Sequence, residues 1–227
     1  MNKFKYKIIR SKRKTIAIHI NKNGSLEVRS PFSVSDLEIE EFVNSKERWI
    51  KEHEDRILDD HQVRNDFRLN FGDTVKLMGK NVLIVPIKDK YAYFKDDKFY
   101  IYEKANSKQI MQITIEMYKK IAKPYIGSRI SYFTQKTKII PSNFRITSAK
   151  TRWGSCSGKN SLNFSWRLLM ASDDVIDYVV VHELCHIKEH NHSKRFWREV
   201  ENMFPDYREK ETKLKELGKK LNKENWD

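Results

Sequence analysis

Four of the seven histidines in this 227-residue chain, His182, His186, His190 and His192, fall within a single short segment. The run His182-Glu-Leu-Cys-His186 has the spacing H-E-x-x-H. On a helix, residues four apart stand one turn above each other, so both imidazoles can face one metal ion. The residue after the first histidine is rotated by about 100° and can reach a water without ligating the metal. Glu183 holds that position. Such a set suits metal-assisted hydrolysis: zinc as Lewis acid brings the pKa of a water towards ~7, and Glu183 takes the proton during attack on a carbonyl and passes it to the leaving amine.

Hydrolytic zinc sites usually have three protein ligands and one position for water, so a third donor is required. On an unbroken helix His190 would lie about 12 Å along the axis from His182, too far to share an ion. His192 follows His186 at the gap found in H-E-x-x-H-x-x-G-x-x-H, where the helix stops and the chain turns back. Glu189 stands at the glycine of that longer pattern, but Asn191 is well suited to a left-handed turn. His192 is therefore the expected third ligand, with Glu199 or Glu201 from the next helix as the competing choice. His190 is expected to face solvent or sit beside the ligands. Cys185 reads as a small buried hydrophobe, and Phe196 and Trp197 as core that steadies the His192 turn.

The elements that must position these groups follow from periodicity. Asp173 opens an apolar helix (Val175, Ile176, Tyr178, Val179, Val180) that runs into the histidines, and two more helices follow, from Ser193 and from near Pro205. Upstream, Phe144–Thr147 and Leu162–Trp166 flank a turn-rich Thr151–Asn160 and read as a pair of antiparallel strands. From Ser107 a helix is expected with Ile110, Ile113, Met117 and Ile121 on one face, kinked or ended by Pro124. Earlier, Ile16, Ile18, Ile20, Leu26 and Val28 alternate around Asn21–Gly24 as a hairpin. A helix capped by Ser35 or Asp36 follows, with Ile39, Phe42, Val43, Lys46, Trp49, Ile50 and His53 in register. A polar stretch over 59–65 precedes four short strands between Val75 and Tyr102. The reading is an α+β chain: a β-rich N-terminal domain over 1–105 with one helix, then a domain of helices and a small sheet over 106–227.

Forty-five Lys and Arg against 31 Asp and Glu give a net charge of +14, so anionic partners deserve consideration. No apolar run is long enough to cross a membrane, and the charged start is unlike a secretory signal. Cys156 and Cys185 are the two cysteines. They form no C-x-x-C pair, which fits a reducing compartment and a cytoplasmic location.

Three motifs in order, Thr151-Arg-Trp-Gly-Ser-Cys-Ser157, Asp177-Tyr-Val-Val-Val-His-Glu-Leu-Cys-His186 and Asn191-His-Ser-Lys-Arg-Phe-Trp197, make the chain closely resemble the YgjP-like metallopeptidase family, relatives of the SprT-like and WLM zinc proteases. The likeness is strongest over 145–205 and extends to Arg13-Lys-Thr-Ile-Ala17, Pro31 and Lys46-Glu-Arg-Trp-Ile50. It implies a zincin-like catalytic domain with Zn2+ on His182, His186 and His192 and with Glu183 as base, acting on peptide or unfolded protein. It also implies that Trp153–Ser157 borders the cleft, where an edge strand could hold an extended peptide.

Two other function classes compete. One is a metal-dependent nucleotide pyrophosphohydrolase, which zinc chemistry and a lysine-rich surface would permit, although no glycine-rich phosphate loop is present. The other is a nucleic-acid-associated protease or binding protein, suggested by eight Lys and Arg without an acid in residues 1–26. No recognition motif accompanies that charge, and oligomeric state is not legible.

Overall fold

The computed structural model describes residues 4–21 and 24–226, apart from the side chain of His61. Its described residues form six helices and three small mixed sheets, an α+β fold, divided into two compact units.

The first unit comprises residues up to Phe67 together with Asn222–Asn225. Strands β1 (Tyr6–Ser11), β2 (Ala17–Ile20) and β3 (Leu26–Pro31) make a sheet of order β1-β3-β2. The β2–β3 pair is the expected antiparallel hairpin, whereas β1 runs parallel to β3. Lys22 and Asn23 of its turn lie outside the described residues. Ser35 caps α1 (Asp36–Ser45) in a reciprocal box with Glu38, satisfying backbone donors that a helix start leaves unpaired. The single expected helix is two, because the chain leaves helical geometry at Lys46 before α2 (Glu47–Asp66) begins. The polar stretch at 59–65 continues α2. Its charge suits a solvated helix face, and pairs one turn apart such as Glu47–Lys51 and Arg48–Glu52 reinforce it. Leu26, Val28, Ile39, Val43 and Ile50 form the core of this unit.

The second unit runs from Arg68 to Leu221 and includes Trp226. The sequence reading places strands up to residue 105 with the N-terminal part, but contacts divide the chain at Phe67/Arg68. Strands β4 (Thr74–Leu77), β5 (Lys80–Ile87), β6 (Tyr93–Lys95) and β7 (Lys98–Tyr102), in order β4-β5-β7-β6, bind elements further along. The Met78 N–H donates to the Leu169 carbonyl at 2.6 Å, and Tyr118 hydroxyl bonds the Lys76 carbonyl. Long-range contacts of this kind are invisible to a boundary drawn from a change of period.

Helix α3 (Ser107–Thr137) passes through Pro124 without ending and buries Ile110, Met117, Tyr118, Ile126 and Phe133. Strands β8 (Asn143–Thr147), β9 (Gly154–Cys156) and β10 (Ser161–Ser165) form a sheet of order β8-β10-β9. Contrary to the expected antiparallel pair, β8 and β10 are parallel. The antiparallel partner of β10 is β9, drawn from the segment that reads as turn, and the reversal itself is confined to Ser157–Asn160, with Asn160 at φ 57°. A 3-10 turn (Trp166–Met170) leads to α4 (Asp173–Lys188), followed by α5 (Lys194–Met203) and α6 (Tyr207–Lys223). No helix among the described residues is long and apolar enough to cross a membrane.

Candidate metal centre

Helix α4 is apolar on most of its surface, burying Val175, Ile176, Val179, Val180, Val181 and Leu184, so its polar groups are placed inside the fold rather than left in water. His182 and His186 lie along one face, their rings edge to face with centroids 4.9 Å apart. The helix ends at Lys188, and Glu189 leaves it in an extended conformation with its N–H on the Cys185 carbonyl. The Asn191 left-handed turn expected from the sequence does not form: no residue from Lys188 to Ser193 has positive φ. Asn191 instead accepts the Ser193 N–H on its side-chain oxygen at 3.1 Å, next to the Ser193 cap of α5.

This turn brings His192 back over α4. Donor atoms of His182, His186 and His192 all lie within 4.8 Å of one another, with the His182 and His192 Nε2 atoms 3.1 Å apart. His190 is exposed and outside the group, and Glu199 lies 3.5 Å from Lys188 Nζ instead. Glu201 is exposed. The His186 Nδ1 lies 3.1 Å from the Glu189 carbonyl. A carbonyl can only accept, so Nδ1 carries the proton and Nε2 keeps its lone pair for the cluster. Tyr178, one turn before His182, faces that ring's Nδ1 at 3.4 Å.

Phe196 is fully buried and touches all three imidazoles, stacked on His186 at 4.4 Å. Trp197 stacks on His192 and on Tyr207. Phe196 is core as expected, whereas Trp197 is only half-buried, and both pack on the returning His192. Burial, reinforced by the neighbouring His186 and His192, pushes the His182 imidazole down to about 3, and burial also lowers His186. Both rings are thereby held neutral, the form that donates a lone pair to a metal.

Glu183 is 5% exposed, and its Oε2 has no hydrogen-bond partner. Burial pushes its carboxyl up to about 8. The carboxyl packs on β9, where a β-carbon on Gly154 would lie 2.5 Å from Oε1. This explains the glycine after Trp153: it leaves room for the acid and is part of a strand, not of a turn. Cys185 is buried, its thiol pushed up to about 12 by burial, and Cys156 is shifted upward by burial and by Glu183. Neither joins the histidine cluster.

A family model described as YgjP-like, metallopeptidase domain, matches residues 14–217. No curated protein gives a significant match. Among solved structures, the chain is similar to the metallopeptidase zymogen abylysin of Pyrococcus abyssi, with 24% identity and TM-score 0.38 over 44% of this chain and 98% of that one. It is also similar to the zymogen jannalysin of Methanocaldococcus jannaschii, with 25% identity and TM-score 0.34 over 42% of this chain and 92% of that one.

Proposed function

The chain belongs to the YgjP-like metallopeptidase family and is a metal-dependent peptidase, and from that premise we propose that His182, His186 and His192 hold a zinc ion with Glu183 as general base. The observation that carries this reading is the convergence of three imidazole donors within 4.8 Å beside a buried, unpartnered carboxylate oxygen. The donor set fits the metal, since three imidazole nitrogens without a thiolate match hydrolytic zinc centres. Bound there, zinc would supply the Lewis acidity that eases ionisation of a water near neutral pH and polarises a peptide carbonyl.

The protein's own groups do the rest. Glu183 is held against Gly154, out of bulk water, where its ionised Oε2 would take a proton from the attacking water and return it to the leaving amine. The Glu189 carbonyl fixes the His186 tautomer, and Phe196 fixes the ring planes. His192 is exposed, so the cluster opens to solvent on the side from which a peptide would come. The substrate is a peptide or unfolded protein, and two unbridged cysteines accord with a cytoplasmic setting. The nucleotide and nucleic-acid readings gain no support from the family.

Two variants test the assignment on an unfolded protein substrate. Glu183→Gln should keep stoichiometric zinc by elemental analysis and lose roughly 10²–10⁴-fold in turnover. His192→Ala should lose the zinc itself. Wild-type turnover in the first variant would refute the base, and full zinc content in the second would refute the ligand.

A further inference from the structure

The sheet behind Gly154 has two unlike faces. Pairing register sets Asn163 opposite both Arg145 and Ser155, with Thr147 and Ser165 in the next row of the same face. The alternate residues, Phe144, Ile146, Leu162 and Phe164, share the face on which Gly154 meets Glu183. The first face is the polar one. It carries a cavity of about 240 Å³ lined by Thr147, Arg152, Trp153, Ser155, Asn163 and Ser165 among others.

The polar groups there are unevenly occupied. Ser165 Oγ donates to the Ala149 carbonyl at 2.7 Å, and the Asn163 amide donates to Ser155 Oγ at 3.3 Å. Ser155 thus accepts from Asn163 and keeps its own hydroxyl proton to give. Arg152 is exposed and makes no hydrogen bond or ion pair with any described residue. No Asp or Glu occurs between Glu116 and Asp173, a stretch holding eleven Lys and Arg. The cavity therefore offers an uncompensated guanidinium beside a Ser155 hydroxyl that is free to donate, a match for carboxylate.

The geometry points to this cavity as a substrate subsite for a carboxylate, with Arg152 as counter-charge and Ser155 as hydrogen-bond donor. The inference rests on the peptidase reading, because β9 is an edge strand with its outer side unpaired among the described residues. A peptide laid along that edge alternates its side chains between the two faces of the sheet. While one residue presents its carbonyl near Glu183, its neighbour is directed towards the cavity face. The carboxylate can come from an Asp or Glu side chain or from a chain end.

The test uses the full-length Glu183→Gln protein, which binds without cutting, and calorimetry with capped peptides. One pair is acetyl-Ala-Ala-Glu-Ala-Ala-amide and its Gln twin, and the other is acetyl-Ala-Ala-Ala with a free or an amidated end. The Glu peptide should bind roughly tenfold tighter than its twin, the lower end of a charge-assisted contact. That advantage should vanish in the Arg152→Ala version of the same protein and shrink at about 0.5 M salt. If the advantage belongs to the free-end pair and depends on Arg152, the subsite stands and reads a chain terminus. Equal binding within both pairs, or an advantage that survives Arg152→Ala, overturns it. Cleavage of the uncharged Gln twin by zinc-loaded wild type is read separately, so failure of the peptidase reading shows as no cleavage while binding still decides the subsite.

Discussion

Adding a β-carbon at residue 154 would bring it 2.5 Å from Oε1 and 2.6 Å from Cγ of Glu183, distances that atoms do not tolerate. What must move is a side chain rather than a backbone, so the strain can be relieved cheaply, at the expense of the carboxylate's position. Gly154→Ala should therefore change stability by less than about 1 kcal/mol, as a substitution whose clash a side chain can relax. Turnover should fall by roughly 10²-fold, since misplacing a catalytic group by about 1 Å costs that much. Zinc content should stay at the wild-type level. A chemical melt, a metal assay and a rate measurement separate the three, and a large loss of stability with normal specific activity would contradict the argument. That His182 and His186 share one face of a helix was legible because H-E-x-x-H is a local helical pattern. The role of Gly154 was not, because it depends on an acid far along the chain, and a lone sequence gives glycine the same look in a turn as in a strand.

Helix α4 can aim its histidines only if it is itself fixed, and its strongest polar tie is to α3. Arg129 donates from Nε and Nη2 to the two oxygens of Asp177 at 2.5 and 2.6 Å, a bidentate pair with both side chains mostly covered. Burial pushes the Asp177 carboxyl upward even against the guanidinium, which shows how poorly that carboxylate would be solvated alone. Arg129→Ala should cost about 1–3 kcal/mol in denaturant unfolding, the range for stranding a hydrogen-bonded charge. Adding Asp177→Asn to it should recover part of that loss, whereas additive losses would mean the pair is not coupled. Helices of this kind were readable from period and starting residues: Ser35 and Ser193 accept backbone N–H groups at helix starts, and Asn106, which the sequence reading did not single out, does the same for α3. Strand direction was less so. Alternation in Phe144–Thr147 and Leu162–Ser165 is the same for parallel and antiparallel neighbours, and only the pairing of β9 with β10 decides it. The break at Lys46 likewise leaves the apolar spacing of α1 and α2 intact, so periodicity alone joins them.

At the scale of the molecule, the three histidines, Glu183 and the aromatics around them all belong to the second unit, which has its own core of Tyr118, Phe164, Trp166, Leu168 and Trp226. The +14 charge gives no hint of this division, nor does the change of period near residue 105, since Met78, between β4 and β5, bonds Leu169 some ninety positions later. A ligand that binds only the folded form stabilises it by mass action, so zinc should raise the melting of the second unit. At hundredfold excess over its dissociation constant the gain is about 2.7 kcal/mol. For a unit of this size that corresponds to a shift of roughly 5–10 °C. Tyr118, Trp166 and Trp226 pack ring against ring, with Trp166–Trp226 centroids 5.9 Å apart, so near-ultraviolet circular dichroism reports the melting of this core directly. Zinc-repleted protein should melt later than the same protein after chelation and dialysis, and His192→Ala should show little of that difference. The comparison isolates the turn after α4: if His192→Ala gains as much from zinc as wild type, the ion is held by another set of donors. If neither gains, the histidine cluster binds no zinc in the folded protein.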